Sequence, residues 1–377
     1  MVRRRSANRV TIGLAALSVS GGVGCGSGAT STTSSQGPSR VCQPDTSQPT
    51  TLATAQNYPH SIAVSATDVY WIQRVVQGDG GFSSEILTCP KAGCCGLPQV
   101  VESFSGSMAL AVDGTNLYWT EDLNGTVMKV PLAGGTPTVL ASGQYGAVGI
   151  AVDATNVYWA TDPADFSGSP PSNTPFVLAK VPIEGGSPTI LVSNFDGRLS
   201  IATDGTNVYW TAAGSLGGPM SNRAVKKVSV NGGSPTTLAS GLVNPESIAV
   251  DSTDVYWTDG IPFFSQGAAA VGTIMKVPID GGQPTTIASE QDFAAGIAIV
   301  GGQVFWSNTG ANPGSGAIVG LSGGAATALA IAQAGPTYLA ADAEGIYWTN
   351  SGCAATPSGA ELASCTSEGS VVALRSR

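Results

Sequence analysis

Ile150-Ala-Val-Asp-Ala-Thr-Asn-Val-Tyr-Trp159 returns along the chain in seven versions, ending at Trp71, Trp119, Trp159, Trp210, Trp257, Trp306 and Trp348. These are all the tryptophans of the protein, and their spacings run from 40 to 51 residues. A period of that length marks a supersecondary unit that cannot bury its apolar face alone and must stack on its neighbours. The repeat therefore decides the architecture before any residue is given a role.

One unit can be laid out over residues 110–143. Leu110-Ala-Val112 is a short apolar strand, Asp113-Gly-Thr-Asn116 a turn with Asx chemistry, and Leu117-Tyr-Trp-Thr120 a second strand rich in aromatics. After a loop of varying length, Thr126-Val-Met-Lys-Val130 alternates as a half-buried third strand. Leu132-Ala-Gly-Gly135 then turns the chain into a fourth strand, Thr136 to Ala141. Four short strands per unit predict a β-propeller blade, and no helical period competes. The fold class expected is all-β, a seven-bladed propeller of four-stranded blades over residues 41–377. The chain ends are expected to close it. Gln48-Pro-Thr-Thr-Leu-Ala-Thr54 copies the fourth-strand segment Gln283-Pro-Thr-Thr-Ile-Ala-Ser289, while Gly369-Ser-Val-Val-Ala-Leu374 reads as a third strand with nothing after it. The N-terminal strand would complete the last blade and remove a free edge.

At Val255-Tyr-Trp-Thr-Asp259, with weaker copies at Leu117 to Thr120 and Val208 to Thr211, the chain resembles the YWTD propellers of the low-density-lipoprotein-receptor group. It is also similar to bacterial propellers with Gly-Gly turns. The receptor group has six blades, so the count here departs from it and receptor function is not carried over. The Tyr and Trp side chains are expected to wedge between sheets, with the phenol and indole N–H bonded to backbone groups.

Tight turns such as Asp153-Ala-Thr-Asn156 and Ile183-Glu-Gly-Gly186 repeat with little variation, which places a uniform face at one end of the propeller. The other end carries the loops between second and third strands, from Glu121 to Gly125 up to Ala160 to Pro175, Thr258 to Val271 and Thr349 to Glu368. Variable loops on a rigid frame are where binding residues concentrate. Aligned on Ile62, Leu110, Ile150, Ile201, Ile248, Ile297 and Leu339, the units place His60, Met108, Val148, Leu199, Glu246, Ala295 and Thr337 at one level of the channel mouth. His60, Arg198, Glu246 and Tyr338 are the ligand-binding candidates among them and their neighbours. The alternative is that each is separately solvated.

The four arginines Arg3, Arg4, Arg5 and Arg9 followed by the apolar stretch Val10 to Ser20 predict a signal peptide over residues 1–24. Gly21-Gly-Val-Gly-Cys25 resembles a bacterial lipoprotein cleavage site, although Gly22 stands where an aliphatic residue is usual; that resemblance implies lipidation of Cys25, and ordinary cleavage nearby is the alternative. Residues 25–40 read as a flexible Gly/Ser/Thr tether. Six further cysteines suit an oxidising compartment. Cys89 and Cys94 would face each other across a hairpin, Cys353 and Cys365 would staple one loop, and Cys42 would pair with Cys95, an assignment interchangeable with Cys94. The expected location is the outer membrane, as a lipoprotein, or the periplasm or exterior.

The net charge of −9 comes from scattered acids and disfavours a nucleic-acid partner; the membrane is reached through the anchor alone. His60 is the single histidine, which excludes a His-based metal centre and leaves general-base work to one imidazole or a carboxylate. The chain is similar in architecture to seven-bladed streptogramin lyases but offers no metal-linked acid cluster, so no catalytic residue and no cofactor are assigned. Calcium at the Asp-x-Thr-Asn turns competes with simple turn formation. Two functions follow: a non-enzymatic propeller binding a protein, peptide or glycan on its loop-rich face, or a hydrolase or lyase acting through His60, Glu246 and Arg198.

Overall fold

Adjacent residues of a strand point to opposite faces of its sheet, so each Tyr-Trp pair commits one sheet to two neighbours. A computed structural model of the protein describes residues 48–76, 82–94, 97–106, 109–162, 176–193, 200–212, 222–260, 271–312, 314–352 and 369–375. The strand β1 (Thr50–Gln56) comes before the first complete blade. Blade one holds β2 (His60–Val64), β3 (Asp68–Val76), β4 (Phe82–Pro90) and β5 (Gln99–Phe104); blade two holds β6 (Leu110–Val112), β7 (Asn116–Glu121), β8 (Thr126–Pro131) and β9 (Thr138–Ser142). Blade three is β10 (Ala147–Val152), β11 (Asn156–Thr161), β12 (Val177–Pro182) and β13 (Thr189–Ser193), and blade four β14 (Ile201–Thr203), β15 (Asn207–Ala212), β16 (Ala224–Ser229) and β17 (Thr236–Ser240). Blade five is β18 (Pro245–Val250), β19 (Asp254–Asp259), β20 (Val271–Pro278) and β21 (Thr285–Asp292), and blade six β22 (Ala294–Val300), β23 (Gln303–Asn308), β24 (Gly316–Ser322) and β25 (Ala325–Gln333). Blade seven takes β26 (Pro336–Asp342), β27 (Gly345–Asn350) and β28 (Gly369–Arg375) from the C-terminal part and β1 as its outermost strand.

All seven sheets are antiparallel and four-stranded, and the innermost strands β2, β6, β10, β14, β18, β22 and β26 touch in a closed cycle. β1 pairs with β28 through Thr50 opposite Ala373 and Thr51 opposite Val372, so the expected clasp is present. The hairpin disulfide Cys89–Cys94 is present as well. Cys25, Cys42, Cys95, Cys353 and Cys365 lie outside the described residues, as does the N-terminal segment.

The core is seven inter-blade clusters, each joining the tyrosine of one blade to the tryptophan of the next: Tyr70 with Trp119, Tyr118 with Trp159, Tyr158 with Trp210, Tyr209 with Trp257 and Tyr256 with Trp306. Phe305 replaces tyrosine against Trp348, and Tyr347 with Trp71 closes the ring. Every tryptophan is 0–1 % exposed. At the closing seam Lys91, buried in the disulfide-bounded hairpin, pairs with Asp342, lies 5.6 Å from the Tyr347 ring centre and approaches Glu344 at 3.6 Å. Arg375 donates back to the Lys91 carbonyl.

The indole N–H groups correct the sequence reading, because side chains and not backbone groups receive them. Trp71, Trp159, Trp306 and Trp348 donate to the amide oxygens of Gln56, Gln144, Gln291 and Gln333 at 2.8–3.0 Å, each glutamine standing fifteen residues upstream. Each glutamine also donates to the carbonyl two residues before it. The preceding residue is left-handed in every case, at Ala55 (φ 57°), Gly143 (73°), Glu290 (58°) and Ala332 (58°), which breaks the regular run of the fourth strand and turns the amide inward. For a residue other than glycine this conformation costs about 1–2 kcal/mol; the indole bond offsets it by removing a buried orphan donor. For Trp119 of blade two, Phe104 at the end of blade one takes the glutamine's place, and Glu121 accepts the indole at 2.9 Å.

Hydroxyls after tryptophan tie the inner strands together. Thr211, Thr258 and Ser307 accept the backbone N–H of Ser200, Ser247 and Gly296 in their own blades. They donate at 2.9 Å to the carbonyls of Glu246, Ala295 and Thr337 in the next.

For Trp257 of blade five, Leu242 stands at the glutamine position, and the buried Nε1 has no hydrogen-bond partner among the described residues. Replacing Gln291 by Leu should orphan Trp306 and destabilise by about 1–3 kcal/mol, read as a drop of roughly 2–4 °C in Tm per kcal/mol. Leu242→Gln, behind Gly241 with its φ of 69°, should be tolerated within about 1 kcal/mol because the new amide meets a waiting donor. Equal losses in the two variants would contradict this account.

Candidate functional site

The first-to-second and third-to-fourth strand turns share one end of the propeller, and the aspartates of the first-to-second turns in blades two to five are engaged there. Asp113 Oδ1 accepts the N–H of Thr115 and Asn116 at 2.6 and 2.7 Å, while Oδ2 accepts the Tyr118 hydroxyl at 2.7 Å. The same set recurs at Asp153 with Tyr158, Asp204 with Tyr209 and Asp251 with Tyr256. This is the second correction: the phenols bond to the turn aspartates and not to backbone groups. In blade seven Asp342 keeps the turn but gives Oδ2 to Lys91, and the buried Tyr347 hydroxyl is without a hydrogen-bond partner among the described residues.

These contacts move the titrations. Burial pushes the Asp113, Asp153, Asp204 and Asp251 carboxyls up, but the N–H and O–H donors together outweigh it and hold all four below the ordinary value. Burial, joined by the neighbouring carboxylate, raises Tyr118, Tyr158, Tyr209 and Tyr256.

The opposite end receives the start of each inner strand and the connection from second to third strand. His60 opens β2 opposite Ile72, with Nδ1 3.1 Å from the Tyr58 carbonyl. Tyr58 and Ser61 on either side have positive φ (49° and 44°), and Ser61 Oγ accepts the Leu110 N–H of the next blade. Tyr338 lies in β26, the neighbouring inner strand, and is 46 % exposed. It occupies the register of Ser61 and Ser247, whose hydroxyls accept the backbone N–H of Leu110 and Ile297 in the next blade. Glu246 lies in β18, two blades from Tyr338 and, continuing the same way round the ring, three from His60. His60 and Tyr338 are thus brought to adjacent blades, and Glu246 is across the ring. Arg198, Met108 and Leu199 fall outside the described residues, as do 163–175, 261–270 and 353–368 of the long connections.

Around Glu246 there is a linked polar group that the sequence reading missed. Glu246 Oε1 accepts from Asn244 Nδ2 at 2.8 Å, and Asp259 accepts the N–H of Asn244 at 2.7 Å and of Val243 at 3.2 Å. Arg223 donates to the Val243 carbonyl. Asp259 is 7 % exposed; burial raises its carboxyl, with the two N–H donors and the Arg223 charge opposing. The available signal was Asp259 itself, the last residue of the Tyr-Trp-Thr-Asp segment. Among the described residues no group of three His, Cys, Asp or Glu side chains is placed to hold a metal ion.

No protein-family model matches the chain, and no curated protein matches it. Among solved structures, a streptogramin B lyase is similar at TM-score 0.57 and 12 % identity, over 86 % of this chain and 96 % of that one. An oligogalacturonate lyase in complex with manganese is similar at 0.55 and 10 %, over 86 % and 92 %. A chain from a nidogen–laminin complex aligns at 0.46 and 20 %, over 63 % and 86 %. The chain is a seven-bladed β-propeller. At such identities the likeness is one of fold, and propellers serve catalysts and binding proteins alike.

The turn carboxylates set a pH window. Their folded-state values are depressed, so their stabilisation is present above the unfolded aspartate value of about 3.9 and is lost as pH falls through the folded values. The raised tyrosines stabilise below about pH 10 and lose this as pH rises. Tm should therefore hold a plateau between about pH 5 and 9, and replacing Asp113, Asp153, Asp204 and Asp251 by Asn should flatten the acid limb. An acid limb unchanged in the quadruple variant would contradict the assignment.

Proposed function

We propose that this chain is a non-catalytic propeller of a bacterial envelope that binds a protein, peptide or glycan on the face carrying the long connections between second and third strands. The supporting observation is the contrast between the two ends. At one, Asp-Tyr and Gly-Gly turns repeat in nearly the same geometry, with Gly134 and Gly135 (φ 88° and 143°) matched by Gly185 and Gly186 (91° and 137°). At the other, the sequence inserts stretches of unequal length and composition at equivalent positions of the blades. The Cys89–Cys94 disulfide agrees with an oxidising compartment, and the N-terminal basic and apolar segments with export and an anchor at Cys25.

The loop face contributes His60, Tyr338 and the Glu246 group as polar contacts at the channel mouth, with Arg198 as the fourth candidate. Replacing 163–175 and 261–270 by short Gly-Ser turns should leave Tm within a few degrees of the parent. It should also abolish the partners recovered by in-cell cross-linking or glycan-array binding. An unchanged set of partners would sink the reading. A hydrolytic or eliminative activity that disappears in His60→Ala would overturn its non-catalytic part.

A further inference from the structure

Outermost strands present one row of unpaired backbone groups, and this protein guards them with proline. Pro49, Pro98, Pro137, Pro188, Pro235 and Pro284 stand immediately before β1, β5, β9, β13, β17 and β21. A proline there offers no N–H and blunts edge pairing. Blade six departs from the rule. Gly323-Gly-Ala-Ala-Thr327 aligns with Gly134-Gly-Thr-Pro-Thr138, which puts Ala326 where its sisters have proline. β25 accordingly starts two residues before the Thr327 that aligns with the first residue of β9, and runs for nine residues, against five in β9, β13 and β17, six in β5, seven in β1 and eight in β21.

A second change is independent of the first. Ile331 takes the place of Ser142, Ser193 and Ser240 and is 71 % exposed, with Leu329 beside it at 37 %. A third concerns charge: the sequence has no Asp, Glu, Lys, Arg or His between Asp292 and Asp342, so the whole of blade six is uncharged in a protein of net charge −9. Val300 stands at the place of the turn aspartate and Gly320 at that of the third-strand lysine. Every other blade carries charged residues.

We propose that a second copy of this chain docks on that edge, β25 against β25 in antiparallel register about a two-fold axis, to give a weak symmetric dimer. Charge selects the occupant. Two copies of an acidic protein repel wherever their acidic surfaces meet, and the uncharged sector is where they can approach without like charges opposed. The strand is also self-complementary: its regular run is Ala325 to Ala328, opposite Ser322 to Val319, and antiparallel pairing of two such runs sets Ala325 against Ala328 and Ala326 against Thr327. Such an isologous contact closes on itself. The register shift at Leu329 ends the usable ladder and sets Leu329 and Ile331 at its margin. One strand pair buries well under the roughly 800 Å² per partner of a stable interface, so the dimer forms at high protein concentration.

Sedimentation of the full chain over a range of concentrations tests this. The expected result is a reversible monomer–dimer equilibrium whose dissociation constant rises at least tenfold in Ala326→Pro, which restores the proline of the other blades. Ile331→Lys should do the same; its side chain is mostly exposed, so the blade folds regardless. Val139→Lys on the proline-guarded edge of blade two should change nothing. A monomer at every concentration, a dimer indifferent to both blade-six variants, or open-ended oligomers would each overturn the proposal.

Discussion

The structure depends on the alternation of two aromatic residues along one strand. Because Tyr and Trp are adjacent, they leave opposite faces of the second strand of each blade, and each sheet is obliged to pack on both sides. A linear stack would leave one tyrosine face and one tryptophan face in water. The ring removes that cost by bringing Tyr347 onto Trp71, and β1 supplies the outer strand that covers the same seam. Truncating a buried tryptophan in a core costs roughly 3–5 kcal/mol, well above what any single polar contact in this fold contributes, so the aromatic seams set the architecture and the polar contacts refine it.

Those refinements follow from burying Tyr and Trp at all. A phenol and an indole each bring a donor into the seam, and a donor without an acceptor is expensive there. The turn aspartate answers the phenol and fixes the first-to-second strand turn by the same carboxylate. The glutamine answers the indole at the other end and draws the fourth strand into its exit geometry. Once the aspartates are occupied in this way, one end of the propeller is committed to structure, and variation is left to the other.

Much of this could be read from the chain before any coordinates. The blade count, the four-strand layout, the clasp between β1 and β28 and the Cys89–Cys94 hairpin are all consequences of periodicity and register, which sequence records directly. The acceptors of the aromatic donors were not legible. They depend on left-handed residues at Ala55, Glu290 and Ala332, which are not glycines and so carry no compositional mark. A fixed interval of fifteen residues between Gln and Trp was the one trace of them. At the channel mouth the alignment gave the level of His60 and Glu246 but not their positions around the ring, and it passed over Asn244, Arg223 and Asp259. Side chains linked across a bulge depend on local backbone turns that a strand pattern does not encode.

Closure of the aromatic ring, with β1 as part of the last blade, makes the seven sheets one cooperative unit. Native-state hydrogen–deuterium exchange tests it most directly. Peptides covering Thr50–Gln56 and Gly369–Arg375 should exchange as slowly as the paired strands Asn156–Thr161 and Val177–Pro182, because opening the clasp requires opening the ring. Exchange of Thr50–Gln56 at the rate of a fraying terminus, with the other strands still protected, would contradict it.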